Sequence, residues 1–290
     1  MAALCRPPRS GILSPFIRVR ASSGVLESIR RTLAALLLVG CCQSARSEPA
    51  PLITGIVPNG VPLYYQIHGA ANGPPVVLLH GFGGFFDENR YEWIIDFFAD
   101  YKLIGLDVRG HGRSGKPAKP EDYGLALVDD LNRLLDHLKL DEAHIVGVSM
   151  GGIVGLKFAS LHPDKVRSLT LVGQGLVPPE NYEQWVEMGN SVVNSSERTA
   201  VQEENLHMYS GFLVGYPPLL VTDEEARVLR IPLLVVIGDQ DERFESAKKL
   251  KSVYPATRLV VAPGFDHFDI MTPESPFYTS ITRFLIEHDS

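Results

Sequence analysis

From Leu52 onward, apolar runs of strand length alternate with longer stretches whose apolar residues recur at helical spacing. The runs are "PPVVLLHG", "KLIGLDV", "AHIVGVS", "RSLTLVG", "IPLLVVIG" and "TRLVVAPG", each ending near Gly, His, Asp or Ser. Between them, residues 89–99, 122–138, 150–161, 244–253 and 275–287 carry the helical pattern. "ITGIVPNGVPLYYQIHG" precedes this alternation and reads as a hairpin with Asn59 and Gly60 at its turn. The pattern predicts an α/β fold with a mostly parallel sheet flanked by helices. Residues 178–230 break it: they hold no convincing buried strand and are rich in acids, Asn and aromatic residues, so they are expected to be an insertion between two strands.

The length suits one large domain, expected over 52–288, and the formal net charge is −7. That charge is unevenly spread. Residues 1–47 hold seven arginines against Glu27 alone, a net of +6 that leaves −13 on the rest. An acidic body without a basic stripe argues against a nucleic-acid partner. Cys5, Cys41 and Cys42 all lie in the leading segment, so thiol chemistry, thiolate metal sites and disulfides are excluded from the body.

The leading segment contains "RRTLAALLLVGCC", two arginines before an apolar run about half as long as a bilayer-spanning helix. Residues 1–47 are therefore expected to be a cleaved targeting segment. "LVGC" resembles a bacterial lipoprotein cleavage box with Cys41 as the lipidated residue, which would attach the protein to a membrane through an N-terminal lipid. The expected location is the cell envelope or outside the cell; an organelle transit peptide, or an over-long start on a cytoplasmic protein, are the alternatives.

In an open parallel sheet, chemistry gathers beyond the carboxyl ends of the strands. "GVSMG", Gly147 to Gly151, matches G-x-S-x-G at a strand-to-helix junction. A reversal that sharp leaves no room for flanking side chains and lifts the Ser149 hydroxyl clear of the sheet. A serine nucleophile needs a histidine base, and the base needs an acid to fix its tautomer. Among histidines after Ser149, His267 lies in a loop behind a strand, "GFDHFD", whereas His207 falls in the insertion and His288 near the end. "VVIGDQDERF" offers Asp239, Asp241 and Glu242 as the acid, and spacing does not separate the two aspartates. Developing negative charge on a carbonyl oxygen calls for two backbone donors; the amides of Met150 and of Phe82, in "LLHGFGG", are the candidates.

"HGFGG", "GLDVRGHGRSGKP", "GVSMGG", "GDQD" and the late-loop His267 occur in this order and together resemble the α/β-hydrolase superfamily over about Thr54 to Glu287. The resemblance implies an eight-stranded, mostly parallel sheet and a triad of Ser149, Asp241 and His267. It also implies an oxyanion hole at Phe82 and Met150, and a helical lid at 178–230. Asp107, Arg109 and His111 are expected to pack and pair near the site. "GHGRSG" is not a dinucleotide fingerprint, because the prolines of "KPAKPED" bar the helix such a motif must open.

Serine at the nucleophile position favours acyl chemistry on an apolar ester of small or medium size. Phe85, Trp185 and Phe212 are expected to line the pocket, drawn from a wider aromatic and methionine set of Phe82, Phe86, Tyr182, Met188 and Tyr209. A C–C bond hydrolase, a lactonase, a perhydrolase, an acyltransferase and a hydrolase-like ligand receptor remain compatible with the same residues. The triad implies no cofactor, and no residue pattern points to a metal.

Overall fold

The computed structural model describes residues 53–86, 94–199, 206–207, 209, 211, 215–269, 272 and 275–289. The expected targeting segment with Cys41, and the side chain of Phe212, lie outside the described residues.

Eight strands form one sheet: β1 Ile53–Val57, β2 Leu63–Gly69, β3 Pro75–Leu79, β4 Lys102–Leu106, β5 Ala143–Val148, β6 Val166–Val172, β7 Leu233–Gly238 and β8 Arg258–Ala262. Their spatial order is β1-β2-β4-β3-β5-β6-β7-β8. β2 is antiparallel to both β1 and β4, and every pair from β4 to β8 is parallel. The hairpin turns at Asn59 and Gly60, both with positive φ (65° and 122°), as the sequence leads one to expect.

Strands covered on both faces read as near-continuous apolar runs. β7, "LLVVIG", is buried throughout, and β3 is buried at its last four residues. Alternate side chains enter two separate cores: Val77, Leu79, Val235 and Ile237 face one, and Val76, Leu78, Leu234 and Val236 face the other. The first is closed by α1 (Leu125–Leu138), α2 (Met150–Leu161) and α5 (Phe244–Val253), the second by α6 (Phe277–Ile286) together with Ile94, Ile95 and Phe98. Between β6 and β7 lie α3 (Pro179–Asn194) and the short α4 (Asp223–Arg227); among the described residues of this segment there is no strand. Thr222 opens α4 with a reciprocal capping box to Glu225.

The register explains where chemistry can collect. Leu79 of β3 pairs with Gly147 of β5, Val148 with Val172 of β6, Val172 with Val236 of β7, and Gly238 with Ala262 of β8. Five neighbouring parallel strands thus end at nearly one level, and the loops that follow them emerge side by side.

Candidate active site

Ser149 stands between β5 and α2 with φ 48° and ψ −109°, a conformation that L residues seldom adopt. The strain is held by backbone bonds: the Ser149 amide donates to the Val172 carbonyl (2.8 Å), and the Ser149 carbonyl accepts from the Gly152 amide (2.9 Å). The flanking glycines are steric necessities. A Cβ on Gly147 would strike the Gly151 carbonyl, and one on Gly151 would strike the backbone of Leu79 in β3. Neither neighbour is a flexible side chain that can swing away.

His267 reaches Ser149 from the loop after β8. Its Nε2 lies 3.1 Å from Ser149 Oγ, and its Nδ1 lies 2.8 Å from Asp241 Oδ2. A carboxylate accepts only, so Nδ1 carries the proton and donates to Asp241, leaving Nε2 to accept from the serine hydroxyl. The imidazole fits beside Gly173 (φ 64°), where a Cβ would sit 3.1 Å from His267 Cε1.

Structure separates the two aspartates that spacing leaves open. The Asp241 side chain is fully buried, and its second oxygen accepts from the Arg243 amide at 2.8 Å. Asp239 is half-buried and bonds elsewhere, with Oδ1 accepting from the Gly264 amide (2.7 Å) in the loop that carries His267. That bond holds its carboxyl below the usual range. Asp266, adjacent to His267, accepts from the amides of Asp269 (2.9 Å) and Phe268 (2.7 Å), which likewise hold its carboxyl low.

Phe82, Ser149 and Met150 line one cavity of about 120 Å³. Met150 is the first residue of α2, where an amide has no carbonyl partner within its own helix. The loop bearing Phe82 is fastened by His80, whose Nδ1 donates to the Gly81 carbonyl (2.8 Å) while Nε2 accepts from the Val108 amide (3.0 Å). Burial pulls His80 down to about 4, so the ring is neutral, as that bonding requires. His111 packs on it with ring centroids 5.0 Å apart and is pulled down to about 3, chiefly by burial and next by His80. Asp107 accepts from the amides of Phe86 (2.7 Å) and Arg113 (2.8 Å), and Arg109 grips Asp130 with two bonds of 2.7 Å. These three residues therefore pack and pair around the loops, as expected.

The rest of the cavity wall is Ile153, Trp185, Met188 and Tyr216, with two polar side chains, Gln174 and Arg243. Trp185 is where the sequence places it, but Phe85 is not: it is more than one-third exposed, lies outside the cavity wall and has its Cβ against Gly112. Phe86, from the wider set, is drawn into the core because Gly105 leaves space for its ring. Tyr182 stacks on Tyr216 behind the wall, and Tyr209 meets Phe82 edge-on. Gln174, Tyr216 and Arg243 are not legible as cavity residues, since neighbouring strands and the returning segment bring them there from far apart in the chain; Ile153 comes from α2, one turn after Ser149.

Among the described residues no group of three or more His, Cys, Asp or Glu side chains is arranged to hold a metal, and no helix is long and apolar enough to cross a membrane.

Residues 74–206 match the family model described as the alpha/beta hydrolase fold. The dihydrolipoyllysine-residue acetyltransferase component of the acetoin cleaving system of Pseudomonas putida is 28% identical over 89% of this chain and 69% of its own length. Lipase 1 of Psychrobacter immobilis is 27% identical over 72% of this chain and 76% of the lipase. A crystal structure of a hydrolase from Pseudomonas aeruginosa PA01 superimposes with a TM-score of 0.66 at 24% identity, covering 80% of this chain and 98% of that one.

Proposed function

We propose that this chain, a member of the α/β-hydrolase superfamily, is a serine hydrolase that cleaves carboxylic esters through an acyl-enzyme on Ser149. The observation that carries this reading is the unbroken run of hydrogen bonds from Ser149 through His267 to buried Asp241, with the hydroxyl at the wall of a largely apolar cavity. Superfamily membership alone leaves the substrate open.

In the proposed reaction the ester carbonyl carbon meets Ser149 Oγ. As the Oγ–C bond forms, His267 Nε2 takes the hydroxyl proton and Asp241 stabilises the resulting imidazolium. The carbonyl oxygen, now negative, is received by the amides of Phe82 and Met150. Breaking of the bond to the leaving oxygen restores the carbonyl, and the proton on Nε2 passes to the departing alcohol. Water then attacks the acyl-enzyme while Nε2 takes its proton; the C–Oγ bond breaks, the proton returns to Ser149, and a carboxylic acid leaves. The segment 178–230 acts as the lid, since Trp185 and Met188 of α3 form cavity wall. The arginine-rich leader and "LVGC" support export with a lipid on Cys41; the mass of the mature N-terminus tests that.

Acyl transfer to an acceptor other than water is the second reading, favoured by the acetyltransferase component among the relatives. p-Nitrophenyl esters of increasing chain length separate the two. Steady release of nitrophenol and acid in water alone is expected. Release that depends on an added alcohol or amine, with the acyl group found on it, would make the enzyme a transferase.

A further inference from the structure

The cavity beside Ser149 is largely apolar, and two polar side chains of its wall, Arg243 and Gln174, have buried atoms left over. Arg243 Nε is buried and has no hydrogen-bond partner among the described residues; the same is true of Gln174 Oε1. Gln174 is almost wholly buried, and its amide nitrogen is spent on the Gly175 carbonyl at 3.3 Å. Arg243 is four-fifths buried at its side chain, and its guanidinium lies 6.0 Å from the centroid of Trp185, another wall residue. Nearby carboxylates do not occupy Nε. Asp241 has one oxygen on His267 and the other on the backbone amide of Arg243. Glu242 approaches Nη1 at 2.9 Å from a side chain that is three-quarters exposed, a position where an ion pair is weak.

A guanidinium stays charged at any ordinary pH, and its planar fork matches a carboxylate. Placing one in an apolar wall with a donor unmet is unfavourable in the empty protein and favourable once an anion pairs with it. The acidic body as a whole gives no reason for an anionic ligand. Charges far from the cavity are screened within a Debye length of about 8 Å, however, so the local cation decides.

From this we infer that Arg243 is a specificity-determining residue that receives a carboxylate carried by the substrate away from its scissile carbonyl. This rests on the proposed hydrolase reading for its reaction, but the binding it asserts can be measured separately.

Two matched pairs of esters place the carboxylate on either side of the bond. On the acyl side, mono-p-nitrophenyl adipate is compared with p-nitrophenyl methyl adipate; on the alcohol side, the butyrate of 4-hydroxybenzoate is compared with that of its methyl ester. With the full chain, one pair is expected to show at least a tenfold higher kcat/KM for the free acid, and which pair does so identifies the side. In Arg243→Gln that ratio falls at least tenfold, and Arg243→Lys, which keeps the charge but not the fork, retains part of it. Binding is read independently on Ser149→Ala by intrinsic tryptophan fluorescence, Trp185 being a wall residue, and the free acid is expected to bind at least tenfold tighter than its methyl ester. Tighter binding without turnover would leave the inference standing and remove the hydrolase reading. Turnover and binding with no preference for the acid in either pair would overturn the inference and leave the hydrolase reading intact, as would a preference that Arg243→Gln does not change.

Discussion

At the scale of single residues, chemistry is decided by where a side chain's hydrogen bonds go. Asp239 and Asp241 are two positions apart, yet one is tied to a surface amide and the other to the imidazole of His267. Asp241→Asn is therefore expected to lower kcat by about 10⁴-fold, through loss of the correct histidine tautomer. Asp239→Asn is expected to change it far less, and the reverse ranking in steady-state kinetics would reassign the acid. A second serine, histidine and aspartate meet elsewhere. His144 lies 2.7 Å from Ser168 Oγ by Nδ1 and 2.9 Å from Asp289 Oδ1 by Nε2. Ser168 and His144 are completely buried, so this arrangement ties Asp289 to the sheet and is not a reactive group. Residue types alone do not distinguish the two sets; exposure does.

At the scale of elements, the elbow between β5 and α2 depends on two backbones passing too closely for any side chain. Gly151→Ala places a methyl group against the Leu79 backbone, which cannot rotate away. The expected cost is about 1–3 kcal/mol in urea unfolding, together with reduced turnover as Ser149 is displaced; unchanged stability would mean the reversal is looser than described. Much of this scale is legible in the sequence. Buried parallel strands show as mostly apolar runs, and the glycines, Ser149 and His267 stand where those runs end. The acid is narrowed to a short stretch, but choosing within it needs the direction in which a loop turns. The pocket is the least legible part. Phe85 and Phe86 carry the expected chemistry but lie outside the cavity wall, Phe85 partly exposed and Phe86 in the core, because the chain's path after β3 decides their places. Gln174 and Arg243 become neighbours of Ser149 through the pairing of β5, β6 and β7, which no local pattern records.

For the whole molecule, buried neutral histidines link stability to pH. His80 is pulled down to about 4 and His111 to about 3, each mainly by burial, and His144 is lowered for the same reason. In the unfolded chain each titrates near 6.5. Below that value the unfolded state binds protons that the folded state does not, so stability is full above about pH 6.5 and falls as pH drops toward 4. Urea midpoints measured from pH 7.5 to 4.5 should decline steadily over the lower two units; a flat profile would show that these rings accept protons in the folded protein. Asp289→Ala removes the acceptor shared by Tyr101 (3.0 Å) and His144, and is expected to lower the midpoint at neutral pH without altering the arrangement at Ser149.

The most direct test of the mechanism is covalent. A fluorophosphonate loses fluoride to an activated serine and leaves a stable phosphonyl ester on its oxygen, which intact mass and peptide mapping both read. The expected result is one phosphonyl group per chain, on Ser149, with labelling abolished in Ser149→Ala and slowed by orders of magnitude in His267→Ala. Ester turnover that persists in Ser149→Ala, or a label found on another residue, would contradict the assignment of Ser149 as the nucleophile.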